Sequence, residues 1–125
     1  LEVTVSALWL DHVQLAIPAN VEDRADEFYV DLLGFIAVDK PINLAKRGGR
    51  WYEHGHTKLH LGVDPQFVAS PKAHVAFVVS DYEALADRLV SHNARVQYDN
   101  EIEGVDRFYT WDPFGNRLEI VRASA

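Results

Sequence analysis

Three histidines and one glutamate stand apart from their neighbours in this 125-residue chain: His12, His60, His74 and Glu119. The residues beside them are large and apolar, namely Val13, Leu59 with Leu61, Val75, and Leu118 with Ile120. Successive side chains of a strand point to opposite faces, so the apolar neighbours mark a core and the polar four mark the other face. Imidazole nitrogen and carboxylate oxygen are borderline-to-hard donors, and a cluster of them suits a divalent ion such as Fe, Mn, Co, Ni or Zn. Such an ion acts as a Lewis acid or lowers the pKa of bound water, and keeps positions open for substrate oxygens. Taken singly, each histidine is better explained as a hydrogen-bonded or partly exposed residue on a wet sheet face than as a ligand, and Glu119 as a solvated strand carboxylate. Their recurrence strengthens the metal reading without settling it: His12 and His74, like His60 and Glu119, lie about 60 residues apart, the mark of a repeated unit. His54 and His56 fall in a turn instead, and His92 sits at a helix end, where its charge complements the helix dipole.

The elements that must position these residues repeat as well. A strand over Trp9 to Ile17 places His12, Gln14 and Ala16 opposite Val13, Leu15 and Ile17, and stops at Pro18. Asn20 or Asp23 is the expected cap of a helix whose stripe is Ala25, Phe28, Tyr29, Leu32 and Leu33 and whose end is Gly34. Strands follow at Phe35 to Val38, Trp51 to Glu53 and Lys58 to Val63, with a basic, glycine-containing loop from Asp39 to Arg50 between the first two. That loop lacks the residue order of a nucleotide-phosphate site. After a connector with Pro65 and Pro71 the order recurs. It runs through strand His74 to Val79, a capping-box helix opened by Ser80 with Glu83, and strands Ala94 to Tyr98, Phe108 to Trp111 and Leu118 to Arg122. Asp112 to Asn116 reads as a tight turn in which Gly115 takes a positive φ.

At this length, and with 48% hydrophobic residues, one cooperative domain spanning 1–125 is expected, with a first module over 8–63 and a second over 73–123. The net charge of −7 argues against an unaided nucleic-acid binder. The absence of cysteine excludes disulfides and thiolate metal sites and fits a cytoplasmic setting. Apolar runs fall short of the roughly 20 residues of a membrane helix, so no membrane partner is expected. The opening LEVTVSALWL carries no basic leader or cleavage motif and reads as a mature segment.

Leu10-Asp11-His12-Val13, Leu61-Gly62, His74-Val75-Ala76-Phe77 and the run from Arg107 to Glu119 (RFYTWDPFGNRLE) resemble the vicinal oxygen chelate superfamily. That group contains glyoxalase I, fosfomycin-resistance enzymes, bleomycin-resistance proteins, methylmalonyl-CoA epimerase and extradiol dioxygenases. The resemblance implies an α+β fold of two βαβββ modules, with curved mixed sheets around a cavity and helices outside. It also implies one divalent ion held by the first and fourth strands of each module, at His12, His60, His74 and Glu119. The homodimers common in the family sometimes build each site from modules of two chains. His60 stands where glyoxalase I carries a glutamate that also transfers protons, so here it is both a fourth ligand and a candidate base.

Tyr109-Thr110-Trp111-Asp112-Pro113-Phe114-Gly115 followed by Glu119 is similar to part of the extradiol dioxygenase signature, which gives Tyr109 a substrate-facing role. The histidine that the signature places before the tyrosine is replaced here by Asn100, Glu101 and Ile102. Arg107, Trp51 and Trp111 complete the substrate-binding set. The function implied is a metal-dependent lyase, isomerase or dioxygenase acting on a small molecule with two neighbouring oxygens. The alternative is a non-enzymatic, bleomycin-resistance-like dimer that sequesters a bulky ligand.

Overall fold

A computed structural model describes residues 5–124. The first half runs β1 (Val13–Ile17), α1 (Glu22–Asp26), β2 (Ile36–Val38), α2 (Ile42–Ala45), β3 (Arg50–His54) and β4 (Thr57–Val63). The second runs β5 (His74–Val79), α3 (Tyr82–Ser91), β6 (Val96–Asp99), β7 (Arg107–Trp111) and β8 (Arg117–Arg122). Each half forms one four-stranded sheet, ordered β1-β4-β3-β2 and β5-β8-β7-β6. In both, the first strand lies parallel to the fourth and the remaining pairs are antiparallel. These are two copies of one βαβββ arrangement in open mixed sheets, the fold class expected above.

The register explains which residues share a face. Gln14 lies beside His60, which lies beside Trp51, while Ala76 lies beside Glu119, which lies beside Tyr109. On the opposite faces Ile17, Tyr52, Leu59 and Leu61 of the first sheet and Phe108, Leu118 and Ile120 of the second are buried in one continuous core with Phe28, Tyr29, Leu32, Tyr82, Ala86 and Leu89 from the helices. α1 runs on as a π-helical stretch, Glu27–Leu32, in which the Leu33 N–H reaches back five residues to the Phe28 carbonyl at 3.1 Å. The wider turn lets the consecutive Phe28 and Tyr29 both face inward.

Polar clamps join the halves. The buried Tyr29 hydroxyl donates to Asp112 Oδ2 at 2.7 Å, and Asp112 also accepts from the Phe114 and Asn116 N–H groups and from Asn116 Nδ2. Asn116 Nδ2 also donates to the Ala16 carbonyl at 2.9 Å, and Arg88 to that of Leu32 at 3.0 Å. The tight turn of Asp112 to Asn116, with Gly115 at φ +93°, therefore docks one half on the other.

The boundaries differ from expectation where local signals lack a partner. β1 starts at Val13 because pairing with β4 begins at Val13–Leu59, which leaves Trp9 and Leu10 exposed outside the sheet. Neither Asn20 nor Asp23 caps α1; Val21 takes that position, and Asn20 adopts a positive φ of 62° before it. Ser80 makes no capping bond, and Glu83 pairs with Arg122 of β8 instead. The loop from Asp39 to Arg50 contains the short helix α2, whose Ile42 is 94% exposed. Gly49 closes that loop at φ +84°, where an added Cβ would lie 2.1 Å from the Leu61 carbonyl oxygen.

Candidate functional site

The polar faces of the two sheets carry two separate sets of donors. On the first, β1 begins just after His12, and the His12 ring stacks on His60 with centroids 4.2 Å apart and planes 21° from parallel. His60 stacks in turn on Trp51, also at 4.2 Å and nearly coplanar at 5°. His12 Nδ1 lies 2.8 Å from Asp11 Oδ2. A carboxylate only accepts, so Nδ1 carries the proton and Nε2 is left with its lone pair, as in the carboxylate–histidine pairs that orient metal ligands. His60 is held below its ordinary value of 6.5, first by burial and then by neighbouring His12. These residues line an open pocket of ≈ 470 Å³ with Lys40, Arg47 and Lys58, and every lining residue belongs to the first half of the chain.

On the second sheet, His74 Nε2 lies 3.1 Å from Glu119 Oε1, and His74 Nδ1 lies 2.9 Å from the Lys72 carbonyl. The carbonyl again requires the proton on Nδ1, so Nε2 faces a carboxylate oxygen with its lone pair unless a proton or a cation sits between them. Glu119 is steadied from the other side by Arg107 at 3.4 Å, which also pairs with Asp99 at 3.1 Å. Tyr109 is buried edge-on to His74, with ring centroids 5.6 Å apart, and lies beneath the Arg117 guanidinium at 3.8 Å. Trp111, the next outward residue of β7, lies beneath Arg95 at 4.1 Å.

The expected residues thus gather as His12, His60 and Trp51 in one place and His74, Glu119, Arg107 and Tyr109 in another, with Trp111 at the edge of the second set. Among the described residues, no group of three or more His, Cys, Asp or Glu side chains within one chain is placed to hold an ion. The pocket beside His12 and His60 draws its lining from the first half alone, while the helix-covered apolar faces of both sheets share one core. Arg107 is occupied by two carboxylates, and so orients Glu119 rather than presenting a free cation. Asp11 has no role in the alternation pattern; its only signal is an acid directly before His12.

The donor chemistry nevertheless fits a divalent ion. Two imidazoles have Nδ1 tied back; His12 Nε2 has no hydrogen-bond partner among the described residues, and His74 Nε2 faces Glu119, which adds an oxygen donor beside it. His60 fits less directly. Ligand lone pairs lie in the ring plane, and two nearly parallel stacked rings do not aim at one point, so His60 would have to rotate off His12 to join it.

Comparison with known proteins agrees with the fold. The family profile described as the Glyoxalase/Bleomycin resistance protein/Dioxygenase superfamily matches residues 9–120. A crystal structure of a protein described as glyoxalase family, from Bacillus anthracis, is 35% identical, with a TM-score of 0.91 over 98% of this chain and 100% of that one. The fosfomycin resistance protein FosX from Listeria monocytogenes shares the fold at 10% identity, with a TM-score of 0.74 over 97% of this chain and 96% of that one. FosX from Mesorhizobium loti does so at 12% identity, with a TM-score of 0.70 over 97% and 95%. No curated protein sequence matches the chain. The matched stretch contains both donor pairs and nearly all of both sheets, and the chain belongs to the Glyoxalase/Bleomycin resistance protein/Dioxygenase superfamily, the vicinal oxygen chelate proteins.

Proposed function

We propose that this chain is a metal-dependent enzyme whose site is completed between two copies, with His12 from one and His74 with Glu119 from the other. The observation that carries this reading is the His74–Glu119 pair, which has its outer nitrogen tied to a backbone carbonyl and its inner one facing a carboxylate. A second copy is supported by apolar side chains left in water beside the donors. Leu8, Trp9 and Leu10 are 75–82% exposed just before His12, and Val78 is 68% exposed on the face of β5 that carries His74.

A bound divalent ion supplies Lewis acidity to two neighbouring oxygens of a small substrate. The chain's own residues do the rest. Arg107 holds the Glu119 carboxylate in place, Asp11 and the Lys72 carbonyl fix the two imidazoles, and Trp51 offers a flat wall to the substrate. His60, on the pocket wall beside His12, is the candidate proton acceptor, which favours a proton-transferring lyase or isomerase over a dioxygenase. No helix among the described residues is long and apolar enough to cross a membrane.

The test is elemental analysis of protein purified without added metal, beside the His74→Ala variant, with the molar mass measured in solution. About one ion per chain in a dimeric wild type, lost in the variant, supports the reading. Equal metal content in the two proteins would overturn it. A metal-free dimer that binds a bulky aromatic ligand against Trp51 would identify the non-enzymatic alternative.

A further inference from the structure

The chain is acidic, yet its second polar face concentrates arginine. Arg107, Tyr109 and Trp111 alternate along the outward side of β7. Arg117 covers Tyr109 at 3.8 Å, and Arg95 covers Trp111 at 4.1 Å. The arginines differ in what neutralises them. Arg107 is held by Asp99 and Glu119; Arg122, on the opposite face of β8 over Tyr82, is held by Glu83 and Asp106. Arg117 and Arg95 have no carboxylate partner among the described residues: Arg117 reaches only the Pro71 carbonyl at 3.5 Å, and Arg95 the Gln97 side chain at 2.7 Å.

Arg117 Nε is buried without a partner, as is Arg107 Nε, so the two differ in their carboxylates and not in this atom. A guanidinium stacked on an aromatic ring keeps its in-plane N–H fork for a planar or tetrahedral oxyanion, which it binds in a bidentate way. Arg117 lies beside His74 across the parallel β5–β8 pair and shares the face of Glu119 two residues on. The first half adds to the bias, since Lys40, Arg47 and Lys58 line the pocket with only Asp11 and Glu53 against them.

We infer that the substrate carries an oxyanion, a carboxylate or phosphate group separate from the oxygens that meet the ion, and that Arg117 stacked on Tyr109 is its anchor, with Arg95 on Trp111 as the next rung. This rests on reading the His74–Glu119 face as the substrate face. It also assigns substrate anchoring to Arg117 rather than to Arg107, whose charge is already matched.

The experiment is calorimetric titration of the full chain with inorganic phosphate and, separately, with acetate. It is done on protein dialysed against EDTA and again after loading with Mn²⁺. Saturable binding is expected in both states, and Arg117→Gln is expected to weaken it roughly ten- to a hundredfold, the scale of a charge-assisted bidentate contact. Arg117→Lys, which keeps the charge and loses the fork, is expected to restore part of the loss, provided both variants keep the wild-type circular dichroism. Tighter binding of phosphate than of acetate identifies a phosphate-bearing substrate, and the reverse a carboxylate. Unchanged affinity in Arg117→Gln, or an equal loss in Lys46→Gln, an exposed lysine of the first half that lines neither polar face, overturns the anchor. If Mn²⁺ is not retained but the Arg117 dependence persists, the anchor stands and the metal site falls. Retained Mn²⁺ with no Arg117 dependence does the opposite: the metal site stands and the anchor falls.

Discussion

If each site joins the first sheet of one copy to the second sheet of another, two inactive variants must repair each other. His12→Ala removes the imidazole that is braced by Asp11, and His74→Ala removes the one that is braced by the Lys72 carbonyl, so either homodimer has both of its sites broken. In a mixed dimer the two lesions fall together in one site and leave the other whole. Random exchange of subunits at equal concentration makes about half the dimers mixed, so about a quarter of all sites regain the full donor set. The variants would be unfolded together and refolded, dialysed against a chelator that strips the single variants, and measured for retained metal by mass spectrometry. The expected value is about a quarter of wild type, against background for each variant refolded alone. Retained metal at background in the mixture, with mixed dimers confirmed by differential tagging, would refute the shared site.

Other outcomes follow from individual contacts. Asp11→Asn leaves His12 in place but removes the acceptor that fixes its tautomer, and metal affinity is expected to fall roughly ten- to a hundredfold in a competition titration. Tyr29→Phe deletes one donor to an Asp112 that keeps three others, so a loss of about 1–2 kcal/mol is expected in urea unfolding. Asp112→Ala strands all those donors together and is expected to cost clearly more; equal losses would contradict the clamp. Glu22 is held below its ordinary value of 4.5, chiefly by the Gly49 N–H at 2.8 Å. A depressed carboxylate stabilises the fold above its unfolded pKa, and that contribution is lost as the pH falls through the folded value. The thermal-stability advantage of wild type over Glu22→Gln is therefore expected at neutral pH and to vanish in acid.

Much of this architecture is legible in the sequence, and what is not has identifiable causes. HVAFVV alternates without interruption, and β5 occupies the expected His74–Val79. His92-Asn93 ends α3 as expected, with Asn93 in the left-handed region at φ 64°. The alternation around His12, His60, His74 and Glu119 correctly separates core face from polar face. It carries no information on how two sheets are placed relative to each other, since that is decided by the packing of Phe28, Tyr29 and Leu32 with Tyr82 and Leu89. For the same reason Glu83 reads locally as a capping residue, although its partner, Arg122, comes from a strand far along the chain. Arg107 and Arg117 look equivalent in sequence; only the positions of Asp99 and Glu119 distinguish the neutralised guanidinium from the one still carrying an unmatched charge.

The ladder of Trp51, His60 and His12 gives the molecule an optical gauge of its own chemistry. Of the three tryptophans, Trp9, Trp51 and Trp111, only Trp51 lies flat on a histidine, 4.2 Å from His60, which in turn lies 4.2 Å from His12. Protonated imidazole drains the excited state of a stacked indole, and neutral imidazole does so far less. Burial holds the His60 pKa below its ordinary value, so Trp51 is expected to emit more strongly at neutral pH than in acid. Emission from this one indole is expected to dim when His60 takes up a proton, and to shift if ion binding moves the His12 ring off His60. Both events can be followed in the unlabelled protein, with Trp51→Phe as the silent control.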